Sequence, residues 1–415
     1  MTSSNPPGGQ FPFFDFNALL GGLGGTDPWK AAADMATSIA SDGGSEPNVD
    51  PAVRIAIDDL VRVAELHVGQ AVGVTLPPGT TINAVTRSVW TAQSVAAYRP
   101  FFERFGEALS AGIESGSSEL VAEQPDPNDP MAQMFPAHVM GQLFATLGPM
   151  LVATSAGAML GHLGQQALGQ YELPVPRSTT EILVVPANIG AAADDWDVPE
   201  NDLRLWLLIH ELVAHSVLSV PHVKARLESL LIDFASAFRP DPDAIGAQFG
   251  AVTDMAEMQQ MAEKMSDPDV VLSLMRSPAH DLLVPQVDAM VAVVLGFVDH
   301  TVRTIAEGLI RAAPIIEERT KERLTDVAPA DRFMERLLGL EIDEGTLARG
   351  EQFISGVVER AGDEGLKRLW ADELDIPTAA EVDAPGLWLA RIGLDDDNAK
   401  LDLEIPDDLS GLDDI

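Results

Sequence analysis

The sequence predicts a mostly helical fold with at most a small strand element. Apolar residues recur at helical spacing through most of the chain from Pro51 onward. One short apolar run, Glu181-Ile-Leu-Val-Val-Pro186, has the length and β-branched content of a strand, and Pro186 ends it. Strands and helices therefore do not alternate, which excludes a doubly wound parallel sheet.

Residues 1–48 are rich in Gly, Pro, Ser and Phe without a period, and read as a disordered leader. Its apolar patch, Phe11-Pro-Phe-Phe-Asp-Phe16, could dock on the body or on a partner. A folded domain is expected over 49–392. Its first helix runs from Pro51 to Val72, with Val53, Ile57, Leu60, Val63 and Ala64 on one side, and Pro77-Pro78-Gly79 follows it. Ser88 to Ser110 reads as a helix pair broken at Pro100. Two helices follow from Ala132 to Gln166. Pro199, Glu200 and Asp202 mark a helix start, and that helix runs to Leu218, before Pro221. Another covers His222 to Ala237. Met255, Met258, Met261 and Met265 share one face of a helix within 240–277, as core or interface filler. Helices are then expected over 282–325, 331–338, 343–361 and 362–371. Residues 393–415 form an acidic tail, with nine Asp or Glu and one Lys from Asp395 on.

Composition removes several function classes. The chain has 415 residues, 46% of them hydrophobic, enough for one large domain or two closely packed ones. The formal net charge is -38, which repels nucleic acid and anionic lipid. No cysteine is present, so disulfides, thiolate metal sites and thiol nucleophiles are excluded, and a cytoplasmic location is expected. The N-terminus lacks the basic start and long apolar core of a signal peptide. Pro130–Tyr171 contains no Asp, Glu, Lys or Arg, but Gly148, Pro149 and Gly157 dilute it, so it reads as a close-packed buried helix pair and not as a membrane span. No Walker or dinucleotide loop, nucleophile elbow or EF-hand spacing occurs.

One segment carries chemistry. Leu203 to Leu218 is almost continuously apolar, as a buried helix is, yet it holds His210, Glu211 and His215. Burying such groups is costly unless they are hydrogen-bonded or bind a metal. Zinc peptidases use His-Glu-x-x-His, because at about 100° per residue positions i and i+4 fall on one side of a helix. Here position i+4 is Ala214. His215 lies five residues on, about 140° round an ordinary helix, and only a wide turn would return it to the side of His210.

Four blocks extend the likeness beyond the motif: Leu168-Gly-Gln-Tyr-Glu-Leu-Pro-Val-Pro-Arg177; Leu183–Ile189 with Asp194-Asp-Trp196; the helix through His210 to Pro221-His222; and a C-terminal set of Gly350–Phe353, Leu369-Trp370, Ile376-Pro-Thr378 and Trp388–Arg391. With them the chain resembles, over 50–392, the actinobacterial family of zinc-dependent metalloproteases and hydrolases with a zincin-like fold. The resemblance implies His210 as first zinc ligand, Glu211 as general base, and a second ligand at the position of Ala214. Pro221 keeps its family spacing from His210, so Ala214 is a substitution and not a slip of register. A later acidic ligand would fall on Leu295, with Asp299 and His300 the nearest substitutes. The resemblance thus implies a catalytically impaired member. Two alternatives stand beside it: an active zinc metallopeptidase with His210, His215 and Glu211 acting on peptide or protein, and a non-enzymatic interaction protein.

Overall fold

The computed structural model describes residues 27–122, 137–239, 272, 275–325 and 329–394. The Phe-rich patch, the methionine-rich segment and the acidic tail lie outside the described residues. Thirteen α-helices and one two-stranded sheet make up the described part, so the helical expectation holds.

The first helix, α1 (Pro28–Ala40), corrects the expectation of an unstructured leader through residue 48. Asp27 caps it by accepting from the Trp29 amide at 3.0 Å, and Pro28 supplies the first helical position. Its buried alanines, Ala32, Ala36 and Ala40, recur every four residues. They lie against a glycine row, Gly157, Gly161 and Gly164, on the helix α4 introduced below. A side chain on Gly157 or Gly161 would run into the backbone of Ala32 or Ala36 at 2.8–2.9 Å. Helix α1 docks because both faces are nearly bare, a pattern that apolar periodicity does not display.

Helix α2 (Pro51–Val68) leads to strand β1 (Thr81–Ala84) and then to α3 (Arg87–Ala122). The break expected at Pro100 does not occur, since α3 runs through it. Proline removes one backbone hydrogen bond, and the buried rings of Tyr98 before it and of Phe101, Phe102 and Phe105 after it hold the helix across that loss. Helix α4 (Ala137–Gln166) likewise continues through Pro149 where a pair was expected. Strand β2 (Glu181–Val184) is the expected strand. It pairs in parallel with β1, Thr81 opposite Glu181 and Ala84 opposite Val184. The polar sequence of β1 gave no strand signal.

Helices α5 (Pro186–Asp195), α6 (Glu200–Leu218) and α7 (Pro221–Ser236) follow, with α6 and α7 meeting at 81°. Next come α8 (Pro278–Ala306), α9 (Ala313–Thr325), α10 (Pro329–Leu338) and α11 (Glu344–Arg368), the last kinked at Gly362, and finally α12 (Ala379–Asp383) and α13 (Pro385–Arg391). Of the described helices, α8 alone is long and apolar enough to cross a membrane, but 56% of its most apolar stretch is buried in the fold. It packs on α6, α7 and α11. Gly296 of α8 and Gly350 of α11 meet backbone to backbone, since a carbon added at Gly350 would lie 2.1 Å from the Ala292 carbonyl oxygen. This close crossing places Leu295 and Asp299 opposite α6, which is buried along nearly its whole length between α2 and α8.

Candidate functional site

Helix α6 presents Trp206, Leu207, His210, Glu211, Ala214 and Leu218 to a cavity of about 100 Å³. These positions share one helical side. The opposite wall is α8, with Val294, Leu295, Val298 and Asp299, joined by Glu317, Thr320, Lys321, Arg323 and Leu324 of α9. Leu168, Tyr171, Glu172 and Pro174, from the loop between α4 and β2, close a third side. Five of the sequence-derived positions, His210, Glu211, Ala214, Leu295 and Asp299, thus converge on one cavity, although Leu295 and Asp299 are remote from the others in sequence.

Glu211 is 2% exposed, and its carboxylate is held by the backbone. The Gln170 amide donates to Oε2 at 2.8 Å and the Tyr171 amide donates at 3.1 Å. Glu172 takes the two preceding amides, Leu168 at 2.6 Å and Gly169 at 3.2 Å, and pairs with Arg323 at 2.7 Å. Two carboxylates thereby hold four consecutive amides. Helix α3 secures the same loop from behind, as Trp90 donates to the Gly169 carbonyl at 2.8 Å. Gly169 has to be glycine, because a side-chain carbon there would lie 2.3 Å from Glu211 Oε1.

His210 stacks on Trp206, with ring centroids 5.5 Å apart and planes at 14°. Its Nδ1 is buried without a hydrogen-bond partner, and the nearest acid oxygen is Glu211 Oε1 at 3.6 Å. Helix α6 is α-helical throughout, without a wide turn. His215 is fully buried and does not line the cavity. It belongs to a separate polar cluster. Tyr171 lies 2.5 Å from His215 Nδ1, Ser219 Oγ 3.2 Å and Arg177 Nη2 3.3 Å. Arg177 donates to the Tyr171 oxygen at 2.7 Å, so the Tyr171 hydroxyl proton points to Nδ1 and the imidazole proton resides on Nε2. Burial, seconded by the Arg177 charge, lowers the His215 pKa to about 4. Burial also pushes the Tyr171 hydroxyl above its ordinary value, against the pull of Arg177.

Asp299 reaches the cavity and His300 does not. Asp299 pairs with Lys321 and with Arg303, each at 3.2 Å, and Lys321 also holds Glu317 at 2.8 Å. Burial raises the Asp299 pKa, while Lys321 pulls it down. His300 is half-buried on α8, and burial followed by Arg303 lowers its pKa.

Catalytic zinc takes three protein ligands. The cavity offers one imidazole, His210, with aliphatic carbon at Ala214 and Leu295 and with its other carboxylates engaged by cations or amides. No group of three His, Asp or Glu side chains among the described residues is arranged to hold a metal ion. The residues present do not fit a zinc ion. Sequence reasoning missed the parts played by Tyr171, Glu172, Arg177 and Lys321. The first three stand in a block that carries the family resemblance, and their roles appear only when the loop folds against α6.

Comparison with known proteins bears on the fold and the family. No curated protein matches the chain. Among solved structures, the fold is similar to the crystal structure of "a putative hydrolase with a novel fold from Chloroflexus aurantiacus", with a TM-score of 0.57 at 18% identity over 88% of this chain and 98% of that one. Residues 28–389 match the family described as zincin-like metallopeptidase. That match spans α1 to α13, and by it the chain belongs to the zincin-like metallopeptidase family.

Proposed function

We propose that this chain is a zincin-like protein that has given up zinc-dependent hydrolysis and keeps the cavity as a binding site for peptide or protein. The observation that carries the reading is the side of α6 facing the cavity. Ala214 lies there, beside His210 and opposite Leu295, while His215 is turned into the Tyr171–Arg177 cluster. Glu211 Oε2 accepts the Gln170 and Tyr171 amides at 2.8 and 3.1 Å, which ties this carboxylate to the fold of the loop.

Family membership favours a rival reading, an active zinc peptidase with His210 and His215 as ligands and Glu211 as base. It requires His215 to leave Tyr171 and Arg177. Metal analysis decides between them. Protein purified with zinc present and then dialysed is expected to retain far less than one zinc per chain. Stoichiometric zinc that disappears in His210→Ala would overturn the proposal.

A further inference from the structure

We infer that the cavity receives one aliphatic side chain from a basic segment of a partner polypeptide. The inference rests on the metal-free reading of the cavity. Size comes first. At about 100 Å³ the cavity is somewhat smaller than a dry engineered cavity of about 150 Å³ that accepts benzene. It suits a single leucine-sized group and excludes an indole. Its surface comes second. Ala214, Leu218, Leu295, Val298 and Leu324 give it an aliphatic lining, including both positions where the resemblance places ligands.

The rim supplies the sign of the partner's charge. Five carboxylates line the cavity, Glu172, Glu211, Asp299, Glu317 and Glu351. Lys321 and Arg323 line it as well, and Arg303 stands behind, holding Asp299 and Glu351. Those five carboxylates outnumber the three cations by two around the cavity, with the Glu351 side chain 46% exposed, on a chain of net charge -38. Such a field draws cations and is screened by salt. Within this sequence, residues 395–415 hold nine acids and one lysine and residues 1–26 contain no Lys or Arg, so neither segment matches. The occupant that suits the cavity is a separate basic polypeptide.

Isothermal titration calorimetry of the full chain with the capped heptapeptide Gly-Lys-Lys-Leu-Lys-Lys-Gly tests this. Binding is expected, about tenfold or more weaker when serine replaces the peptide's leucine, and weakened severalfold at high salt. Glu351→Gln, at an exposed rim position, is expected to reduce affinity in the folded protein, and Ala214→Leu to abolish it by filling the cavity. Absence of binding overturns the inference. So does equal binding of the peptide with Glu in place of Lys, or of the serine peptide. Zinc analysis of the same preparation reports separately on the metal-free reading, so failure of one is distinguishable from failure of the other.

Discussion

At the scale of single residues, the carboxylate of Glu211 illustrates how a position associated with catalysis can serve the fold. Two charge-assisted bonds from backbone amides are each worth about 1.5–3 kcal/mol. Glu211→Ala should therefore lower stability by several kcal/mol in urea unfolding. Gly169→Ala should destabilise by about 1–3 kcal/mol, because the new carbon meets that carboxylate at 2.3 Å. His215 gives a pH test. Its folded pKa of about 4 lies below the unfolded value of about 6.5. The unfolded chain thus binds the proton more readily, and stability falls as pH drops from about 6.5 towards 4, with a limiting slope of about 1.4 kcal/mol per pH unit from this residue. His215→Gln should flatten that part of the profile. Restoring both lost positions, Ala214→His with Leu295→Glu, should raise zinc retention well above that of the parent in metal analysis, since Ala214 lies beside His210 on α6 and Leu295 faces it across the cavity. His210, Glu211 and Ala214 were legible from helical period alone. The fate of His215 was not, because Tyr171 and Arg177 reach it from 44 and 38 residues away, a distance that no local pattern encodes.

At the scale of elements, long amphipathic helices and the apolar strand declared themselves, whereas elements held by small residues did not. Helix α1 sits in a stretch whose glycines and prolines suggest disorder, yet Trp29 is buried and its ring lies 6.3 Å from that of Phe102. Trp29→Ala should cost about 3–5 kcal/mol, a loss that an unstructured leader would not show. The prolines misled in the opposite direction. Pro100 was read as a break, and two helices were expected where α4 is one, because local backbone rules ignore the packing that carries α3 and α4 through Pro100 and Pro149. Strand β1 escaped notice because its register is set by β2 and not by its own alternation.

At the scale of the whole molecule, 64 acidic residues against 26 basic ones mean that the folded state works against its own repulsion. Raising sodium chloride from low to physiological concentration should increase the melting temperature by several degrees, as read by differential scanning fluorimetry. The parallel strand pair has a different consequence, in time. Thr81 waits for Glu181, and during synthesis at about 5–20 residues per second that interval is roughly 5–20 s. Closing so long a loop is entropically slow, while the helices within it form from local contacts. For that period β1 emerges from the ribosome with both edges open. Its brevity, four residues of which Thr81 and Asn83 are exposed, gives a neighbouring nascent chain little to pair with. The weak strand character that hid β1 from pattern reading is also what makes its long wait safe.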